Sequence, residues 1–139
     1  MHGSRGFTLF ETLVGLALAT VVAAMGGVRL TELLATSRLA AAARTLATSL
    51  RLARGRALAS GASVEARFDA PGHTYELRDG SGTLERHGLP RGVLFSALPA
   101  RSRIVFGALG TADNGTITLA AGARSRHVVV NQRGRVRLQ

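Results

Sequence analysis

The sequence predicts an α+β protein in which one long N-terminal helix packs on a small antiparallel β-sheet or sandwich domain. Residues 7–28 are apolar or small apart from one carboxylate, and the apolar positions that follow recur at helical spacing to about residue 60. From residue 61 onward, short alternating runs separated by glycine-rich turns replace the helical period, which is typical of antiparallel strands. A helix followed by many short strands indicates an α+β arrangement.

Residues 7–28 are long enough to cross a membrane as a helix. At about 1.5 Å per residue this segment spans about 33 Å, against a bilayer hydrocarbon core of roughly 30 Å. Glu11 lies inside it, where a charge costs on the order of 2.5–3.5 kcal/mol and needs a partner. A secretory signal peptide and a plain single-span anchor are the alternatives, and both leave Glu11 unexplained. Arg5 precedes the segment, and positive charge there favours a cytoplasmic N-terminus.

Residues 29–60 are predicted to continue the same helix in amphipathic form. Nothing breaks the helical pattern before Gly55 or the Ser60–Gly61 pair, and arginines fall between the apolar positions. We expect the apolar stripe to pack on the globular domain. The stripe consists of Leu39, Ala43, Leu46, Leu50, Ala53 and Ala57.

Residues 61–139 are predicted to form the β-rich globular domain. Turn signals such as Pro71–Gly72, Asp79–Gly80 and Arg133–Gly134 separate its short apolar runs. The predicted strands are 63–68, 74–78, 83–87, 93–98, 103–106, 115–119, 127–131 and 135–138. The expected core residues are Val64, Phe68, Tyr75, Leu77, Phe95, Ile104, Phe106, Ile117, Leu119, Val129, Val136 and Leu138.

Composition argues against catalysis and favours an anionic partner. The net charge is +10, and all 18 basic side chains are arginine, which grips phosphate with two parallel hydrogen bonds. A bias of the genome toward arginine codons is the alternative explanation. The chain has no cysteine, its histidines 2, 73, 87 and 127 lack metal-ligand spacing, and no glycine-rich phosphate loop precedes a helix. We therefore predict no catalytic residue, no metal and no cofactor, and a protein that is not an enzyme.

The segment from Gly6 to Glu11 resembles the processing site of type IV prepilins and pseudopilins. The resemblance implies a leader peptide over residues 1–6, cleavage after Gly6 by a prepilin peptidase, and methylation of Phe7 as the new N-terminus. It also implies that Glu11 pairs with the N-terminal amine of a neighbouring subunit during filament assembly. Such a pair would offset the cost of two buried charges at once.

Essentially the whole chain, a long helix followed by a β domain, resembles the FimT/GspH family of minor pilins, most strongly at its two ends. At the C-terminal end the resemblance lies in residues 104–107, 115–119 and 128–138. The resemblance implies a single-pass inner-membrane protein with a cytoplasmic N-terminus and a periplasmic C-terminal domain, which then enters a filament with other major and minor pilins. In the FimT branch, a C-terminal Gly-Arg-x-Arg motif is linked to DNA uptake in natural transformation; here the motif is Gly134–Arg137. The GspH branch serves the pseudopili of type II secretion.

The motif itself suits phosphate binding. Arg135 and Arg137 would share one face of a strand with Cα atoms about 6.8 Å apart, close to the spacing of successive phosphates on one strand, while Gly134 closes a hairpin with Arg133 in its turn. Because aromatic residues are few, we expect sequence-independent contact with the backbone of duplex DNA rather than base stacking. Two further pairs belong to the candidate DNA-binding site, although the sequence does not show whether they converge on the hairpin: Arg101 with Arg103, and Arg124 with Arg126.

Two other interpretations of the arginines stay open. They can serve as solvated charges that discourage strand-to-strand aggregation at a sheet edge. The protein can also be a purely structural subunit, either a type II secretion pseudopilin or a pilus-assembly initiator, whose arginines face other proteins.

Overall fold

The computed structural model describes the backbone of residues 8–139 and the side chains of residues 8–24 and 31–139. The predicted leader and the processing site at Gly6 and Phe7 lie outside the described residues. Within the described range the chain forms one α-helix, a short 3-10 helix and eight strands. These elements are α1 (Leu9–Ser60), β1 (Val64–Asp69), β2 (Thr74–Asp79), β3 (Gly82–Gly88), β4 (Leu94–Ala97), the 3-10 helix (Ala100–Ser102), β5 (Arg103–Phe106), β6 (Gly115–Ala121), β7 (Arg124–Val130) and β8 (Val136–Leu138).

The chain divides into two compact units, Met1–Leu34 and Ala35–Gln139. In the first unit every described side chain from residue 8 to residue 24 is exposed, including the large apolar ones. Among the described residues, no helix combines the length and the hydropathy that a membrane crossing requires. The predicted span of residues 7–28 lies partly outside the described side chains.

In the second unit, α1 buries the stripe that its spacing predicted. All six residues of that stripe are at most 2% exposed, and Ala42, Ala47 and Ser49 beside them are buried as well. Ser49 is the polar member of this group, and its hydroxyl lies 3.1 Å from the hydroxyl of Tyr75 on β2. The helix ends at Ser60, where Gly61 adopts a φ of +64° that ordinary residues rarely take.

The strands form two antiparallel four-stranded sheets. The first sheet has the order β3-β2-β1-β5, and the second has the order β4-β6-β7-β8. The core contains ten of the twelve strand residues that the sequence predicted, at 8% exposure or less. The domain is therefore an α+β unit with its apolar face covered by the second half of α1.

Two predicted core residues are wrong. Val128 and Val130 are fully buried instead of Val129, because three consecutive valines show no alternation and the parity of β7 is set by its pairing with β6, where Val128 lies opposite Ile117. Leu138 is 40% exposed, since it belongs to the last pair of the edge strand β8.

Candidate nucleic-acid interface

The β7–β8 hairpin is held by the side chain and backbone of Asn131. The carbonyl oxygen of Asn131 accepts a hydrogen bond from the N–H of Gly134 at 2.8 Å, which closes a four-residue turn. Its side-chain Oδ1 accepts from the N–H of Arg133 at 3.1 Å and from that of Arg135 at 2.9 Å. These bonds fix the backbone on which the motif arginines stand. No role for Asn131 was predicted from the sequence, although asparagine at the first position of a turn with glycine at the fourth is a recognised turn signal.

Gly134 is required by packing as well as by backbone conformation. Its φ is +66°, and a Cβ added there would lie against the carbonyl oxygen of Gly110 and 2.8 Å from Nε of Arg54. That Nε donates a hydrogen bond of 3.2 Å to the same Gly110 oxygen. The glycine of the Gly-Arg-x-Arg motif therefore allows the turn to pack closely against Gly110 and against Arg54 of α1. This packing role involves no ligand.

Arg135 and Arg137 project from the same side of the hairpin. Arg137 lies opposite Val129, and the side chain of Val129 is on the other face of β7 from the buried Val128 and Val130. Arg135 lies one pair further toward the turn, where its carbonyl oxygen accepts a hydrogen bond from the N–H of Asn131 at 3.2 Å. Both arginines are exposed, and neither guanidinium makes a hydrogen bond or ion pair with the described part of the chain.

The structure brings Arg101 and Arg103 to the side of this turn. Both line a shallow depression of about 350 Å³ together with Asn114. Asn114 also lines the adjoining depression of about 470 Å³, whose other walls include Asn131 and Arg133. Arg101 has a φ of +63°, an uncommon conformation for a residue with a side chain. Asn114 is thus the residue that joins the two groups of arginines.

Arg124 and Arg126 do not join this group. They occupy the same parity of β7 as the buried Val128 and Val130, so they lie on the other side of the second sheet from Arg137. Arg126 lines a depression with Arg44 of α1. Arg124 begins β7, about 20 Å from its far end at the usual rise per strand residue.

Glu11 lies in the first turn of α1. Its N–H is 3.3 Å from the hydroxyl oxygen of Thr8, the arrangement of a helix N-cap, and a carboxylate in the first turn also suits the helix dipole. This gives Glu11 a local structural role besides the predicted intersubunit one. Among the described residues, no group of three or more His, Cys, Asp or Glu side chains is arranged to hold a metal ion.

The fold is that of minor pilins and pseudopilins. The crystal structure of the type IV minor pilin FimU of Pseudomonas aeruginosa superposes with a TM-score of 0.63 at 20% identity, covering 75% of this chain and 90% of that one. The minor pseudopilin EpsH of the type 2 secretion system of Vibrio cholerae superposes with a TM-score of 0.62 at 16% identity, covering 73% of this chain and 96% of that one. No curated protein sequence matches the chain significantly.

Sequence comparison then defines the family. The family model for the type II transport protein GspH matches residues 42–134, more than half of the chain, and the chain belongs to that family. The model for the prokaryotic N-terminal methylation motif matches residues 1–27. The protein is a minor type IV pilin or a pseudopilin, as the resemblance at both ends of the sequence predicted.

Proposed function

We propose that this protein is a minor type IV pilin that binds duplex DNA without sequence preference and supports DNA uptake in natural transformation. The observation that carries the proposal is the hairpin: a turn held by Asn131 and seated through Gly134 presents Arg135 and Arg137 with unpaired guanidinium groups. Arg133 lies in the turn itself, and Arg101 and Arg103 line the adjacent surface.

The chemistry of these groups favours the phosphate backbone over the bases. A guanidinium is always charged and binds phosphate in a planar fork, whereas base stacking requires exposed aromatic rings. Phe68, which lines a depression with Arg101 and Arg103, is buried. Affinity of one copy is expected to be weak, on the order of 10⁻⁴ to 10⁻⁶ M at physiological salt, and several copies in a filament would raise it by avidity.

The route to the filament is also a proposal, supported by the methylation-motif match over residues 1–27. A prepilin peptidase cleaves after Gly6, and Phe7 becomes the methylated N-terminus. Residues 7–28 anchor the chain in the inner membrane with the domain of residues 61–139 on the periplasmic side, and the helix then enters the filament. There Glu11 pairs with the N-terminal amine of a neighbouring pilin. Filament retraction carries bound DNA inward, and the chain itself performs no catalysis.

A purely structural role is the competing function. The fold similarity extends to a pseudopilin of a type 2 secretion system, and the matching family model bears the description of a type II transport protein. In that case the hairpin arginines face protein partners in a pseudopilus or at the site of pilus initiation.

A titration against DNA separates the two functions. The full chain in a neutral detergent is titrated against a labelled duplex at several salt concentrations, beside Arg135→Ala/Arg137→Ala and the control Arg38→Ala/Arg91→Ala, which removes two exposed arginines away from the hairpin. We expect log K to fall linearly with log salt. The hairpin variant should lose roughly tenfold in affinity at physiological salt and flatten the slope by about 1.8, the value for two phosphates.

The same variants are then tested in the host for piliation and for transformation frequency. DNA receptor function predicts normal piliation and reduced transformation for the hairpin variant. Absence of wild-type binding even at low salt, or equal losses in the hairpin and control variants, would reject the proposed function in favour of the structural one.

A further inference from the structure

The outer face of the first sheet carries a row of charged side chains that crosses all four strands. Arg67 on β1 lies opposite Arg103 on β5 and opposite Glu76 on β2. Glu76 in turn lies opposite Arg86 on β3. Residues that are directly opposite in neighbouring strands share a face about 4.8 Å apart, so these four side chains form one continuous row.

Glu76 of this row and Glu65, two residues from Arg67 on β1, are less exposed than the arginines they pair with. Glu76 Oε2 accepts a hydrogen bond of 2.9 Å from Arg86 Nη2, and Glu65 Oε1 accepts one of 3.1 Å from Arg67 Nε. The side chains of Glu65 and Glu76 are 24% and 16% exposed, against 51% for Arg67 and 69% for Arg86. The glutamates therefore hold the arginines in place while the positive groups face solvent.

The hydrogen bond from Arg86 lowers the pKa of Glu76, so this carboxylate stays ionised at neutral pH and keeps its hold on the guanidinium. An arginine has five N–H donors in a fixed fork, and in the described structure Arg86 donates one hydrogen bond, to Glu76. The remaining donors are available to an anion outside. Arg67 and Arg103 share Glu65, and Arg78 and Arg86 share Glu76, so two carboxylates face four guanidinium groups. The surface therefore keeps an excess of positive charge on arginines whose positions are already held.

Shallow depressions connect this row to the hairpin. A depression of about 400 Å³ is lined by Arg67 and Arg86, and it adjoins one of about 530 Å³ that Arg67 shares with Arg101 and Arg103. Arg101 and Arg103 also line the depression that contains Asn114, which leads to the hairpin turn. Each depression shares at least one wall residue with the next, and we call this series of neighbouring depressions the arginine furrow. In order along the furrow, its positive residues are Arg86, Arg67, Arg103, Arg101 and Arg133.

We propose that Arg67 and Arg86 bind phosphates of the same DNA duplex that the hairpin holds, so that the arginine furrow is the second part of the DNA contact. This inference rests on the proposed function and extends it to residues of the first sheet. Phe68 lies beneath the furrow and is buried, which leaves charge rather than stacking as the means of recognition. Asp69 and Asp113 line its margins, and Asp113 Oδ2 already accepts a hydrogen bond from the N–H of Val105.

The test compares double variants of the full chain in neutral detergent. Arg67→Ala/Arg86→Ala is titrated against the labelled duplex beside the hairpin and control variants described above. Each variant removes two positive charges, so differences among them report position rather than net charge. We expect the Arg67/Arg86 variant to lose roughly tenfold in affinity and about 1.8 in salt slope, and Arg67→Lys/Arg86→Lys to regain most of the slope because it restores the charge.

A second measurement does not depend on deleting an arginine. Glu76→Gln removes the negative charge beside Arg86 while keeping an amide oxygen in the same place, and it should raise DNA affinity about threefold or more. Glu85→Gln is the matched control, because Glu85 bonds to Arg56 of α1 at 2.9 Å on the helix-facing side of β3. Equal gains in the two glutamine variants would indicate a general charge effect and would count against the furrow.

The outcomes separate the two proposals. If the hairpin variant loses binding while the Arg67/Arg86 variant matches the control, the furrow is overturned and the proposed function survives. If the wild-type chain does not bind, both fall. If the Arg67/Arg86 variant keeps full DNA affinity but no longer enters filaments, the face belongs to an acidic neighbouring subunit, and the furrow as a DNA contact is again overturned.

Discussion

At the scale of single residues, the motif Gly134–Arg137 combines two physical roles: its arginines offer charge to a ligand, and its glycine fixes the position of the hairpin. The guanidinium groups of Arg135 and Arg137 are exposed and unpaired in the described structure, so they are available to a ligand. Gly134 between the turn and these arginines is buried against Gly110 and Arg54. A change at Gly134 that weakens DNA binding would therefore act through the position of the hairpin rather than through a lost contact with DNA.

Gly134→Ala should destabilise the domain more than a positive φ alone explains. The φ of +66° costs about 1–2 kcal/mol for a residue with a Cβ, and the new Cβ would also press on the Gly110 carbonyl. Gly122→Ala is the matched control, with a φ of +58° and no heavy atom within 4 Å of the added Cβ. Urea unfolding followed by circular dichroism, on a fragment beginning at Arg29, should show the larger loss at Gly134; similar losses would mean that packing against Gly110 contributes nothing.

The ion pair of Glu76 with Arg86 should make the free energy of unfolding depend on pH in the acidic range. The pKa of Glu76 is lowered, first by the hydrogen bond from Arg86, so the folded-state pKa lies below the ordinary value of 4.5. The contribution is therefore present above the unfolded-state pKa and is lost as the pH falls through the folded-state pKa. Glu76→Gln should lower the free energy of unfolding at pH 7 by less than about 1 kcal/mol. Unfolding curves at pH 7, 5 and 3 should show this deficit shrinking at the lowest pH, and a constant deficit would contradict the assignment.

At the scale of elements, α1 has different environments along its length. Its described residues up to position 24 are exposed apolar side chains, whereas from Leu39 to Ala57 it buries a stripe of leucine and alanine. Burial at the recurring spacing of three and four is the main source of helix stability in a protein, since intrinsic propensity alone is marginal. The second sheet adds the hairpin, and the first sheet adds the charged row of the arginine furrow.

Leu50→Ala tests the packing of this element. Leu50 is fully buried, and truncation of a buried leucine costs about 2–5 kcal/mol through lost transfer energy and a residual cavity. Leu52→Ala on the same turn is the control, because Leu52 is 42% exposed and surface changes usually stay within about 0.5 kcal/mol. Chemical unfolding of both variants in the same fragment should separate them clearly; equal costs would show that the stripe is not the packing face.

At the scale of the whole molecule, one chemistry recurs in separate places. All 18 basic side chains are arginines, and they give the chain a net charge of +10. Arginines lie on the hairpin, beside Asn114 and across the first sheet. Arg124 and Arg126 carry the same charge but lie on the other side of the second sheet from Arg137. Membership of the GspH family agrees with the helix-then-strands order of the chain.

The local order of this protein followed from the sequence by itself. Periods of 3.6 and 2 residues are properties of neighbouring positions, so they identified the long helix, its buried stripe and most of the core, including Phe106, Ile117 and Val136. The turn at Gly134 was also predicted from the sequence, because glycine after a short polar segment is typical of a hairpin turn. The motifs at the two ends identified the family.

Which of these elements meet depends on packing between segments that are far apart along the chain. The pairing of β6 with β7 set the parity of the valines and separated Arg126 from Arg137, and β1 pairs with β5 across an intervening hairpin and strand, which places Arg103 opposite Arg67. Such contacts join residues that are distant along the chain, and their register depends on the burial of a whole sheet face rather than on any local pattern. The contact of Gly134 with Gly110 and the arrangement of the arginine furrow arise in the same way. Both depend on packing between segments whose proximity no local sequence pattern predicts.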